Sequence, residues 1–217
     1  MPIKREGRRI FLEPPYLEWP FIREEAERFR EKYVRPANTV PVPIDKIAEF
    51  TLGLEVDPKP GMLKEIDIDG FLSNDLKTIC IDQEIYMDPR RENRLRFTFA
   101  HEIGHLVLHP DEIRQCNFRT PEDWIHFHED FLAKDLNWFE QQAREFGGRL
   151  LVPKRELISE ILKYRREISE FKSLAGDEED LIEAIARIVR GKFGVSNQVI
   201  QRRIGAEKIW GEIEAAL

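Results

Sequence analysis

The period of the hydrophobic positions changes several times along the chain, and each change marks an element. In FIREEAERFREKYV, Ile22, Ala26, Phe29 and Tyr33 recur at helical spacing, which predicts an amphipathic helix with one face on a core. The Pro-rich stretch VRPANTVPVP interrupts that pattern and places a boundary near residue 40, after which PIDKIAEFTLGL reads as a second short amphipathic helix. From EIDIDGF to TICIDQEIYM the period drops to two. Ile66 and Ile68, then Ile79 and Ile81, alternate with polar residues around a turn at Ser73–Asp75, so a small antiparallel sheet is expected. The next run, RRENRLRFTFAHEIGHLVLH, is long and apolar and stops at Pro110, as a central buried helix would. Residues 110–136 read as a polar loop, followed by a helix in NWFEQQAREFGGRLL, a charged amphipathic helix in PKRELISEILKYRREI, and further helices in LIEAIARIVRGKFG and VSNQVIQRRIGAEKIW. Helix, small sheet, then a run of helices defines an α+β class: a small antiparallel sheet packed against a mainly helical body. The expected division is an arm over residues 1–38, a principal domain over 39–205 and a helical tail over 206–217.

The central helix raises a chemical question, because FTFAHEIGHLVLHPD sets ionisable groups into an apolar run where unpaired polar groups are costly. His101 and His105 differ by about 40° in azimuth and roughly 6 Å in height on an ideal helix, so both imidazoles can grip one ion. Glu102 falls on the same side, and Phe99, Ile103, Leu106 and Val107 on the other. This is HExxH, the zincin pattern: two imidazoles suit Zn²⁺, and the glutamate between them is placed to act on water rather than to ligate. A catalytic ion needs a third protein ligand. His109 lies about 12 Å along the axis from His101, too far for one ion. Asp111 is a minor candidate. Glu140 is a better one, since Gly104 on one helix and Ala143 with Gly147 on another would permit the close approach that brings it to the ion. The pattern alone equally accommodates a solvent-facing Glu140.

A resemblance bears on that choice. RFTFAHEIGHLVLH, followed by E140-QQ-A143-RE-F146 and LLVP, resembles the ImmA/IrrE family of metallopeptidases. VPVPIDKIAEFTLGLEV is similar to that family's opening helix, DGFLSNDLKTICIDQEI to its sheet and KFGVSNQVIQRRI to its closing segment, so the resemblance runs over roughly residues 40–205. Gly147 stands where the family usually has alanine, the loop between the two motifs is long, and the first forty residues have no counterpart. The resemblance implies Zn²⁺ (Mn²⁺ as the alternative) on His101, His105 and Glu140, with Glu102 as the catalytic base. It also implies a regulatory protease that cleaves a helix-turn-helix transcriptional repressor under stress or mobile-element control. By analogy with zincins generally, the strand around Thr78–Asp82 is expected to pair with an extended substrate, and His126, His128 and Tyr86 are candidates for oxyanion stabilisation.

Composition constrains the alternatives. Charged residues make up 35 % of the chain, well mixed, and the net charge of -7 argues against general affinity for phosphate backbones and would suit a basic partner. Apolar runs stay short of a membrane span and the N-terminus lacks the apolar core of a secretory signal, so a cytoplasmic protein is expected. Cys80 and Cys116 lack CxxC spacing and read as two reduced thiols. Two rival functions remain. One is a DNA-binding or antitoxin-like interaction protein that reads bases with Gln198, Gln201, Arg202 and Arg203 of FGVSNQVIQRRI. The other is a non-catalytic metal-bound sensor, against which the intact Glu102 speaks.

Overall fold

The computed structural model describes residues 15–115, 123, 133–172 and 177–216. Helix α1 (Trp19–Tyr33) starts with Pro20 in its first turn, where a missing N–H costs nothing, and buries Ile22, Ala26 and Phe29 as their spacing predicts. After the Pro-rich stretch, α2 (Ile44–Lys46) runs into a π-helical turn over Ile47–Thr51.

The sheet has three strands, β1 (Glu55–Lys59), β2 (Gly70–Leu72) and β3 (Thr78–Asp82), in the order β1-β3-β2. It is mixed rather than wholly antiparallel: β2 pairs antiparallel with β3, and β1 pairs parallel with it. β3 is central, so Ile79, Cys80, Ile81 and Asp82 are all buried and the expected alternation is absent. β1 is an edge strand, which tolerates its Pro58 and its charges and thereby hides it from a hydrophobic pattern. The stretch containing Ile66, read as strand, is instead the short helix α3 (Met62–Ile66) between left-handed Gly61 (φ 81°) and Asp67 (φ 54°). Asp82 explains why. Its buried carboxylate accepts from the N–H of Leu63 at 2.9 Å and also caps α4 (Gln83–Met87) through the N–H groups of Glu84 and Ile85.

Helix α5 (Glu92–Leu108) is the central helix and packs on β2, β3 and α4. Pro110 ends it as expected, yet also opens a new helix, α6 (Pro110–Gln115), because a first-turn proline sacrifices no hydrogen bond. Helix α7 (Ala133–Leu151) packs against both α5 and α1. Two buried guanidinium groups satisfy backbone carbonyls where α7 ends: Arg30 donates to Leu150 O at 2.7 Å and Arg203 to Val152 O at 3.1 Å. The chain continues through α8 (Lys154–Ile161), α9 (Arg165–Lys172), α10 (Glu178–Phe193), α11 (Asn197–Gly205) and α12 (Ile209–Ala216). Gly194 closes α10 in the left-handed region (φ 64°), and a Cβ there would sit 2.8 Å from Arg96 Nε. One continuous core joins Ile22 and Phe29 of α1 to Phe99, Phe146, Ile185 and Ile213. No helix among the described residues is long and apolar enough to cross a membrane.

A charge cluster pins the last turn of α11 to this body. Glu207 accepts from Arg149 Nη1 and Arg203 Nη2, each at 2.9 Å, and holds a left-handed backbone (φ 58°) that would otherwise be unfavourable. Burial pushes its carboxyl up, but Arg203 and Arg149 outweigh burial and hold it below the ordinary carboxylate value. A depressed folded pKa means that the stabilisation is present above the unfolded pKa and is lost as pH falls through the folded one. Glu207→Gln is therefore expected to cost about 2–3 kcal/mol near pH 7, with a gap to the parent that closes below about pH 4, measured by urea unfolding. Burial likewise pushes the Cys80 thiol up to about 12. In a Cys116→Ser background, Cys80 should resist an aromatic disulfide reagent at about pH 8 until the chain is unfolded, because the thiolate is the reacting form.

Candidate metal centre

The centre exists because α5 and α7 come unusually close. A Cβ added at Gly104 would lie 3.0 Å from Ala143 O and 3.1 Å from Ala143 Cα, and one at Gly147 3.1–3.2 Å from the backbone of Ala100 and His101. The small residues proposed from the sequence are those at the crossing, and Glu140 is the residue the crossing delivers. Its Oε2 lies 3.0 Å from His101 Nε2 and its Oε1 3.5 Å from His105 Nε2, while the two Nε2 atoms are 3.2 Å apart. For a tetrahedral ion with bonds of 2.0–2.1 Å, the ligand–ligand edges are about 3.3–3.4 Å. The Nε2–Nε2 separation matches one such edge, the carboxylate meets the two rings with different oxygens, and one donor atom from each residue lies within 4.8 Å of the others; two imidazoles with a carboxylate are a donor set suited to zinc. Among the described residues these three form the group able to hold a metal ion. Burial opposes charge on His101, yet the Glu140 carboxylate outweighs it and raises the imidazole pKa; burial also pushes Glu140 up, but His101 and His105 hold it well below the ordinary range. The partners stabilise opposite charges on each other, and a cation bound between them would take the place of the imidazole proton.

Glu102 is 3 % exposed and lines the same cavity, of about 380 Å³. Burial pushes its carboxyl up, and His101, His105 and the backbone N–H of Leu72 act the other way without cancelling it. The cavity is walled by β2, by Arg144, whose Nη2 is 3.8 Å from Glu140, and by Arg94, which grips Asp69 at 2.6 and 2.8 Å. This corrects the expectation for the substrate-pairing strand. β3 is flanked by strands on both sides, and the edge strand that faces the cavity is β2.

His109 is too distant to join the three donors and instead supports them. Its Nδ1 is 3.1 Å from His105 Nδ1, its Nε2 is 2.9 Å from Gln142 Oε1, and Phe139 packs against both rings with centroids 4.5 and 4.2 Å away. Burial, then His105, pushes the His109 pKa down to about 3, so the ring is neutral. The sequence reading missed His109 and Gln142 in this role. The i, i+4 step from His105 to His109 was the available signal, but the partner on α7 is two residues past Glu140, beyond any local pattern.

The remaining candidates lie elsewhere. Asp111 is exposed and paired with Arg114 at 2.8 Å. Tyr86 is half-buried on α4 and does not line the cavity. His126 and His128 lie outside the described residues. In α11, Gln198 and Arg202 are exposed, but Arg203 is 2 % exposed and bonded to Val152 O and Glu207, so it cannot reach bases.

A buried HExxH helix, a carboxylate brought to it by a second helix and a small mixed sheet alongside define an α+β, zincin-like metallopeptidase. The family model described as the IrrE N-terminal-like domain, a peptidase family, matches residues 52–205, and the chain belongs to this ImmA/IrrE family of metallopeptidases. No curated protein matches it significantly.

The helix crossing can be tested directly. Gly104→Val should lower stability by about 1–3 kcal/mol through overpacking against Ala143 and withdraw Glu140 from the imidazoles. Thermal unfolding and zinc titration by calorimetry should show both losses together.

Proposed function

We propose that the chain is a zinc-dependent endopeptidase in which His101, His105 and Glu140 hold the ion and Glu102 moves the protons. The observation that carries this reading is the convergence of His101 Nε2, His105 Nε2 and the Glu140 carboxylate, with contacts of 3.0, 3.2 and 3.5 Å among them, beside a buried carboxylate in the same cavity. Zn²⁺ is the preferred ion for this donor set and Mn²⁺ the alternative. A cation bound there supplies Lewis acidity, lowering the pKa of water toward 7 and polarising the scissile carbonyl. Glu102 takes the proton from the attacking water and passes it to the leaving amine; its burial, which favours the protonated form, suits that second step. β2 offers an edge on which an extended peptide can be held by main-chain hydrogen bonds, aligning the scissile bond without demanding a particular sequence.

The substrate in this proposal is a helix-turn-helix transcriptional repressor in the cytoplasm, and the enzyme a regulatory protease. The family resemblance motivates this choice, and the net charge of -7 is compatible with a basic partner.

Glu102→Gln should lower cleavage by about 10²- to 10⁴-fold while zinc content, measured by plasma mass spectrometry, stays at the parent level. Glu140→Ala should lose the zinc. Cleavage by Glu102→Gln at the parent rate would remove that residue from the chemistry. Incubation with a repressor encoded beside this gene, followed by mass spectrometry of the products, tests the substrate; an intact repressor alongside an active enzyme rules it out.

A further inference from the structure

The hydrogen bonds behind His105 form a directed chain that begins in the N-terminal arm, outside the region matched to the family. Gln142 Nε2 donates to the backbone carbonyl of Pro15 at 3.0 Å. That carbonyl lies in a segment seated by aromatic contacts: Tyr16 stacks on Trp138 with centroids 5.7 Å apart, and Trp19 meets Trp138 edge-on at 4.9 Å. Trp138 precedes Gln142 by one turn of α7, so the same contacts hold both ends of the Gln142–Pro15 bond.

We infer that the Pro15 carbonyl, acting through Gln142 and His109, sets the tautomer and orientation of His105 and so makes the arm part of the metal centre. A carbonyl can only accept, so the Gln142 atom facing Pro15 is the amide nitrogen and the atom facing His109 is Oε1. Oε1 can only accept, so His109 carries a proton on Nε2; the ring is fully buried and its nitrogens face only Gln142 and His105, an environment that disfavours a second proton and leaves Nδ1 bare. The bare Nδ1 accepts from His105 Nδ1 at 3.1 Å, which places the His105 proton there. In a neutral His105, the form that can hold a cation, this leaves Nε2 bare, with its lone pair directed toward Glu140 and His101. Every member of this chain except Pro15 is nearly or wholly buried, with His105 at 3 % and His109 and Gln142 at 0 % exposure, so water cannot substitute for a lost link. His109 and Gln142 are thus positioning residues, and the arm contributes an acceptor that fixes the polarity of the whole series.

This inference rests on the proposed metal ligation, but its test separates the two. In the ¹⁵N-labelled, metal-free full-length chain, histidine ring correlations should show His105 protonated at Nδ1 and His109 at Nε2. His109→Leu should weaken zinc binding in chelator competition by about 10- to 100-fold, while His109→Gln, which can accept from His105 and donate to Gln142, should recover most of that loss. Gln142→Leu should release the constraint and give a mixture of His109 tautomers. An Nδ1-protonated His109 in the parent would overturn the inference. So would parent zinc affinity in a folded His109→Leu, or a single unchanged tautomer in Gln142→Leu. A parent chain that takes up no zinc would defeat the endopeptidase reading, and the tautomer measurement would still decide the relay.

Discussion

Two helices can bring a carboxylate and a pair of imidazoles onto one point only if their backbones nearly touch, and the molecule depends on that approach. Gly104, Ala143 and Gly147 remove the side chains that would keep α5 and α7 apart, so that a Cβ built at either glycine would lie about 3 Å from the backbone of the other helix. Glycine within a helix costs roughly 1 kcal/mol relative to alanine, so the crossing is maintained by packing elsewhere on the same helices. Phe99, Ile103 and Phe146 bury themselves beside it, and each such side chain contributes on the order of 1.5–3 kcal/mol. The end of α7 is fixed separately, with Arg30 from α1 and Arg203 from α11 closing on carbonyls of Leu150 and Val152. A helix held at its end and along its flank presents Glu140 with little freedom to withdraw.

The same principle recurs at each buried polar group. Asp82, Arg30, Arg203, His109 and Gln142 are all nearly inaccessible to water, and all connect elements distant in sequence. In a low-dielectric interior such groups must be paired, so their bonds are as constraining as they are stabilising. Asp82 ties the end of the central strand to two short helices; Arg203 ties α11 to the end of α7; Gln142 ties α7 to the arm. Arg203 is the least satisfied of them. Its Nη1 lacks a hydrogen bond and has the Glu145 carboxylate at 3.6 Å, which makes it dependent on the charges of Glu145 and Glu207.

Long amphipathic patterns were legible in the sequence because a helix repeats its signal several times. Ile22, Ala26 and Phe29 on α1 face the core as their spacing requires, and the HExxH spacing placed two imidazoles together without any knowledge of the fold. The glycines at 104 and 147 pointed further, to a contact between two helices far apart in sequence. The sheet was less legible. β3 is buried on both faces, β1 is an edge strand carrying Pro58, and Ile66 mimics strand alternation inside a single helical turn that Asp82 holds from a distance. Arg203 looked like a base-reading residue because charge on a short helix normally faces solvent, whereas here it satisfies a helix end. The support behind His105 was invisible for a related reason: it joins the arm, α5 and α7, and no window of sequence contains all three.

The edge strand shows how little material the active cavity requires. Asp69 O accepts from Asp82 N–H at 2.8 Å and Ser73 N–H donates to Thr78 O at 2.9 Å, so both turn their polar groups toward β3. In an antiparallel ladder alternate residues turn the opposite way, which directs the backbone groups of Gly70 and Leu72 toward the cavity. The backbone N–H of Leu72 thereby faces Glu102 and favours its carboxylate form. Gly70 cannot be enlarged without collision, since a Cβ there would meet Cys80 O at 2.7 Å and Thr98 Cγ2 at 2.8 Å. In the proposed reaction one three-residue strand therefore faces the base with Leu72 and lies beside the peptide to be cut, so a displacement of β2 would shift the substrate relative to Glu102 on α5. The register between proton acceptor and scissile bond is then set by how β2 packs on α5, with Phe71 and Leu72 buried on one side and Thr98 and Glu102 on the other.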